Sequence, residues 1–211
     1  MPLQVGIYLF DEVEVLDFAG PFEVFSTAAR LALREGQEPP FVVHTIAPGT
    51  GTVRARGGLR VKAENTLSDH PQLDLLVIPG GAVGAELERR NLPDWLLSQS
   101  LKLKALASIC TGAFLLEQAG LLNEREVVTH WEDVEELRSV SHASGSLLTV
   151  LTDRRFVEAK PWVHHGGMCR LFTSAGISAG IDLSLHLVAE FSSLVTALQT
   201  ARQMDYDWRR G

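Results

Sequence analysis

Four short apolar runs, Val5–Phe10, Phe41–Ala47, Leu75–Ile78 and Leu106–Ile109, recur along the chain with helical patterns between them. Strands covered on both faces read as such runs, and their alternation with helices calls for a mainly parallel sheet between two helical layers. The expected fold class is α/β, in three layers. Gly20-Pro21 opens a helix in which Phe22, Phe25, Ala29 and Leu33 recur at helical spacing until Gly36, so Phe22 and Phe25 are expected to face the core. A second helix follows Pro93, a third runs from just after Cys110 to near Gly120, and a fourth covers Glu132 to Leu137. Leu147–Leu151 and Phe156–Val157 read as strands. A long helical region from about Ile177 to Met204 follows, with Ser192-Ser193 as its break point.

With 211 residues, 45% of them hydrophobic, the chain can bury a full core without staples, and one domain over residues 1–211 is expected. Cys110 and Cys169 are too few for a disulfide framework and lack paired C-x-x-C spacing, which suits a reducing cytoplasm. The N-terminus has no basic segment and soon meets Asp11, Glu12 and Glu14, so it reads as a first strand and not as a signal peptide. No uncharged apolar run reaches the roughly 18 residues of a membrane span. The formal charge of −7 opposes binding to nucleic acid or anionic membranes. Arg54, Arg56, Arg60 and Lys62 are most simply a solvated strand edge.

Cys110 is the centre of the chemistry. In Ala105–Leu116 an apolar strand runs into this thiol and at once into a helix, with no charged residue between Lys104 and Glu117. Unpaired N–H groups and the positive dipole end at such a helix start favour thiolate. Ser108-x-Cys110-x-Gly112 has the layout of a G-x-S-x-G elbow with sulfur for oxygen, and an inert buried cysteine is the plainer alternative. Pro79-Gly80-Gly81 ends another buried run in a turn able to aim N–H groups at a developing negative charge, or is ordinary turn chemistry. Asp17, flanked by Leu16 and Phe18 after the first strand, is either a partly desolvated proton donor or a helix N-cap. Glu23 is the rival acid. Features from three strand ends meeting at one edge of an open α/β sheet point jointly to a site.

The motifs Asp17-Phe18-x-Gly20-Pro21-x-Glu23-Val24, Pro79-Gly80-Gly81, Ser108-x-Cys110-Thr111-Gly112, Thr129-His130-Trp131 and Ala175–Asp182 together resemble the ThiJ/PfpI superfamily, related to class I glutamine amidotransferases. Within it the chain looks most like the isonitrile hydratase branch, from about residue 3 to residue 206. The resemblance implies a flavodoxin-like α/β/α sandwich, no cofactor, a small-molecule substrate and a homodimer. It implies Cys110 as nucleophile, Asp17 as general acid/base, Thr111 orienting the sulfur, and amides of Gly81 and Thr111 beside Gly80 lining a hole for developing charge. Ile177 is placed near the nucleophile, where it limits pocket size. Cys110 and Asp17 are expected to share one proton, as thiolate and protonated acid.

Proteolytic members of the superfamily carry His after the nucleophile, where this chain has Thr111, which weakens a peptidase reading. A Cys–His dyad through His130 stays open beside the plainer role of a hydrogen-bonded structural histidine. His164, His165 and Cys169 read as part of a lengthened hairpin, since adjacent strand residues point to opposite faces; no metal is expected. Isonitrile hydration, a hydro-lyase reaction, is the leading expectation. A glyoxalase-, deglycase- or amidase-like activity is the rival, and a thiol redox sensor or ligand-binding domain related to AraC-type regulators is the non-enzymatic alternative. Only seven residues follow Met204, too few for a helix-turn-helix.

Overall fold

The computed structural model describes residues 1–210. In chain order the elements are β1 (Leu3–Tyr8), α1 (Val15–Arg34), β2 (Phe41–Ala47), β3 (Thr52–Arg54), β4 (Arg60–Lys62), β5 (Asn65–Thr66), β6 (Leu75–Ile78), α2 (Gly84–Leu87) and α3 (Leu92–Ser100). They continue with β7 (Ala105–Ile109), α4 (Gly112–Gln118), β8 (Glu126–Val127), α5 (Val134–Ser144), β9 (Thr149–Val150), β10 (Phe156–His164), β11 (Gly167–Ser174), α6 (Ala179–Phe191) and α7 (Leu194–Gln203). A seven-stranded sheet has the order β10-β11-β7-β6-β1-β2-β5, parallel throughout except for the β10–β11 hairpin. Helices α1, α6 and α7 pack together as one layer, and α4 packs with α2 and α3 as the other. All four apolar runs are strands of this sheet. From β1 the chain goes to β2 on one side, whereas β6 and β7 build out the other, so the carboxyl ends of β1 and β6 flank a topological switch point.

Helix α1 starts five residues before Gly20-Pro21, at Val15, where the Glu14 side chain accepts the Val15 N–H at 3.2 Å. Its buried stripe therefore runs through Phe18, Pro21, Val24, Phe25, Ala28 and Leu31. Phe25 is in the core as expected, and burying such a ring stabilises the fold by about 1.5–3 kcal/mol. Phe22 is not: it sits one position off the stripe and is 41% exposed. Where α1 crosses α6, Gly20 lets Ile181 approach so closely that an added Cβ would lie 3.0 Å from Ile181 Cγ1. This close crossing brings the first turn of α1 beside the loop that enters α6.

The Leu147–Leu151 stretch contributes only Thr149–Val150, paired with Glu126–Val127 in a separate ribbon. The hairpin expected around His164 is present, with the His164 ring accepting the Gly166 N–H at 3.2 Å. Its second strand, β11, pairs with β7 and is a central strand that the sequence reading did not mark. The helical region divides between Phe191 and Leu194, where Ser193 caps α7 by accepting the Thr196 N–H. Arg54, Arg60 and Lys62 lie on the exposed β3–β4 ribbon, and Arg56, between its strands, pairs with Glu14 at 3.5 Å. No helix among the described residues is long and apolar enough to cross a membrane.

Candidate active site

Cys110 ends β7 with φ +57°, a left-handed conformation that a residue with a Cβ adopts only when its surroundings enforce it. Two bonds do so. Its N–H donates to Ser174 O at 3.1 Å on β11, and its carbonyl accepts the Thr129 hydroxyl at 2.9 Å. Small residues clear the room around the turn. A Cβ on Gly112 would collide with Ile78 O, and one on Gly80 would lie 2.6 Å from Thr111 N and 2.8 Å from Cys110 Cβ. The strand–turn–helix arrangement expected of an elbow is present, with the fully buried Ser108 in place of its first glycine.

Asp17 lies inside the first turn of α1 and is 0% exposed, with Glu14 occupying the cap position. Its Oδ2 accepts the Gly80 N–H and its Oδ1 the Ile177 N–H, both at 3.0 Å. Ile177 delivers that amide from φ +60°, a strained geometry for a β-branched residue. Burial pushes the Asp17 carboxyl up to about 6; the two amides oppose this, and the nearby Glu14 charge adds to it.

The Cys110 thiol faces Asp17 and is 7% exposed. Burial pushes it up to about 12, the Asp17 charge pushes the same way, and the Thr111 N–H opposes both. Desolvation beside a carboxylate thus works against the expected resting thiolate, and the helix that starts at the elbow is only seven residues long.

The glycine turn also differs from expectation. The Gly81 N–H donates to Thr111 Oγ1, and Thr111 Oγ1 donates to Gly81 O, both at 2.9 Å. With the Gly80 N–H given to Asp17, both glycine amides are engaged in holding Asp17 and Thr111 in place, which leaves the Thr111 N–H facing the sulfur. Glu23 is removed from the site: it is exposed, bonds Arg30 at 2.8 Å and accepts the Thr27 hydroxyl at 2.9 Å.

His130 is brought to the elbow through Gly176. A Cβ on Gly176 would overlap His130 Cδ2 and lie 3.2 Å from Cys110 Sγ. On the other side of the ring, Nδ1 is 3.3 Å from Asp133 Oδ2 and accepts the Glu132 N–H at 3.4 Å. Sequence reasoning carried Thr129 and Gly176 only as parts of motifs, without a contact of their own, and missed Asp133, for which the H-x-x-D spacing from His130 was the available signal. A groove of about 280 Å³ is lined by Thr129, whose hydroxyl bonds Cys110 O, with Trp131, Leu151, Ala175, Arg138 and Arg154 among others; Cys110 and Asp17 do not line it. Cys169, by contrast, is a 0% exposed core thiol that burial raises to about 12.

Residues 3–190 match the DJ-1/PfpI family. The chain is 33% identical over 207 residues to an isonitrile hydratase of Pseudomonas putida, covering 98% of this chain and 79% of that protein. It is 25% identical over 188 residues to the HTH-type transcriptional regulator GbdR of Pseudomonas aeruginosa, covering 89% of this chain and 46% of the regulator. Among solved structures, a ThiJ/PfpI family protein from Pseudomonas syringae superposes with a TM-score of 0.78 at 22% identity, covering 99% of this chain and 77% of that one. Drosophila melanogaster DJ-1beta superposes with a TM-score of 0.75 at 19% identity, covering 99% and 100%. Fold, elbow and extent of match agree, and the chain belongs to the DJ-1/PfpI family.

Proposed function

We propose that this protein is a cofactor-free, cysteine-dependent hydratase that converts a small isonitrile to an N-formamide. The reading rests on one observation above the others: a strained, nearly buried thiol facing a carboxyl group that two backbone amides hold in place. The 33% identity to an isonitrile hydratase supports the choice of substrate class. In the first half, the Cys110 S–H proton passes to Asp17, sulfur bonds to the terminal isonitrile carbon, and Asp17 returns the proton to that carbon, giving the thioimidate S–CH=N–R. In the second half, water oxygen bonds to the same carbon, one water proton reaches nitrogen, the C–S bond breaks, and sulfur takes up the other proton. The sum is R–NC plus water giving HC(O)–NH–R. A carboxyl raised to about 6 suits both directions of proton transfer near neutrality. The 280 Å³ groove next to Thr129 and Ala175 is the space we assign to the R group. A cytoplasmic homodimer completes the reading.

Purified protein incubated with a panel of alkyl and aryl isonitriles should release formamide. Cys110→Ala should abolish release, and Asp17→Asn should lower kcat by about 10²–10⁴-fold. Unchanged turnover in Cys110→Ala would remove the mechanism. The 25% identity to a transcriptional regulator favours a second reading, a ligand-binding domain. Stoichiometric, thermally stabilising ligand binding without turnover would support that reading over the first.

A further inference from the structure

We propose that Arg155, Asp182, Tyr206 and Trp208 are positioning residues that fix the Ala175–Ser178 loop, and through it the Ile177 amide, against the reacting carboxyl of Asp17. The proposal rests on Asp17 being the acid/base of the reading above but not on the isonitrile. The loop has a shape that needs support. It leaves β11, puts Gly176 where a Cβ would stand 3.2 Å from Cys110 Sγ, and turns Ile177 to φ +60° so that its N–H reaches Asp17 Oδ1 at 3.0 Å. Left-handed backbone at a β-branched residue persists only where the surroundings over-determine it. Both ends of the loop are tied to one residue. The Ala175 N–H donates to Arg155 O at 2.8 Å, and Arg155 Nη2 donates to Ser178 Oγ at 3.3 Å.

Arg155 is held in turn by Asp182 in the first turn of α6, whose fully buried carboxylate accepts Arg155 Nε at 2.6 Å. The segment after α7 completes the junction. Tyr206 donates its hydroxyl to Ser178 O at 3.3 Å, the Trp208 indole N–H donates to Asp182 O at 3.1 Å, and the Arg209 N–H donates to Asp182 Oδ1 at 2.9 Å. A carboxylate so deeply buried is tolerated because each oxygen has a donor and one donor is cationic. The approach to β10, the start of α6 and the segment after α7 are thereby locked to one another around the loop. Their effect on Asp17 passes through the Ile177 N–H. That bond favours the ionised carboxyl and opposes the upward push of burial. A loop free to drift gives the bond up, so the Asp17 titration moves upward and the first proton transfer, which needs Asp17 ionised, is confined to higher pH. Glu14 ahead of α1 and Cys110 at the elbow are the titratable groups that face Asp17, whereas the glycine turn and the Ile177 loop present amides; neither Glu14 nor Cys110 belongs to the junction.

The double substitution Tyr206→Phe/Trp208→Phe keeps both rings, which pack against the core, and removes the donors to Ser178 O and Asp182 O. The measurement is an NMR titration of carboxyl-labelled aspartate between pH 4 and 9, with the Asp17 signal identified by its loss in Asp17→Asn. We expect this variant to melt about 5 °C below the parent, as two lost hydrogen bonds would give. Its Asp17 midpoint should rise by about one pH unit, the size set by losing a hydrogen bond to a charged group. Phe41→Leu separates positioning from plain stability. It loosens the core at the start of β2, the edge of the sheet opposite the site, and should lower the melting temperature similarly while leaving the Asp17 midpoint unchanged. A parent-like midpoint in the folded double variant would overturn the proposal, and so would an equal shift in Phe41→Leu. If the double variant fails to fold, Arg155→Lys decides on the same reading, since it keeps a cation beside Asp182 and gives up the fork that also reaches Ser178. A raised midpoint in the variant together with absent isonitrile turnover in the parent would retain the positioning and discard the substrate.

Discussion

Asp17→Asn should change the pH dependence of stability in a direction set by burial. The carboxyl is 0% exposed and its pKa is raised from 3.8 to about 6. The folded state therefore binds the proton more tightly than the unfolded chain, and the stability this contributes is fully present below about pH 4 and lost as pH rises through 6. The gap is a little over two pH units, and at about 1.4 kcal/mol for each the loss comes to about 3 kcal/mol by pH 7.5. Asparagine carries no charge to desolvate, although its NH₂ group faces one of the two amides from Gly80 and Ile177 and forfeits that bond, at about 1–3 kcal/mol at every pH. The absolute stability of the variant is thus a near balance, whereas its pH slope is not. Urea unfolding of both proteins at pH 4.5, 5.5, 6.5 and 7.5 should show the variant gaining roughly 2–3 kcal/mol relative to the parent across that range. Cys110 titrates far above this window and does not interfere. A difference that stays flat, or that grows in favour of the parent toward pH 7.5, would refute the assignment of Asp17 as a carboxyl raised by burial.

Three further substitutions test the framework around the site. Gly112→Ala drives a methyl into Ile78 O, a main-chain atom that cannot step aside, so chemical denaturation should show a loss of about 3 kcal/mol. Arg155→Ala strands the fully buried Asp182, whose carboxylate the guanidinium bonds at 2.6 Å, and should cost about 3 kcal/mol at pH 7. Recovery of that stability in Arg155→Ala/Asp182→Asn would identify the lone charge as the cause. Ile177→Gly deletes a side chain that is only 40% exposed, yet it also removes a φ of +60° at a β-branched residue; the two effects oppose, and the net loss should stay below about 1 kcal/mol in the same assay.

Much of the scaffold was legible because doubly covered strands have an unambiguous composition. Val5–Phe10 and Leu75–Ile78 announce themselves. β11 did not, since Gly167–Ser174 mixes Arg170, Thr173 and Ser174 with its apolar residues and owes its central place to pairing with β7, which no local pattern records. The phase of α1 was misjudged for a related reason. Pro21 looks like a first-turn residue, but the helix had already begun under the Glu14 cap, and a shift in phase was enough to put Phe22 outside. At the site, Cys110, Asp17 and Thr111 were readable as types at turn positions. The upward push of burial on the thiol was not, because desolvation depends on how much chain closes over it. Asp133 escaped because its importance lies in what it touches.

The acid is fastened by main chain alone: Gly80 and Ile177 grip Asp17 through amides that every residue but proline possesses. Such a mount is indifferent to the identity of most surrounding side chains. Evolution can thus rework groove residues such as Trp131, Leu151 or Arg154 while the hardware around Asp17 keeps its alignment, a division between a permanent chassis and exchangeable trim.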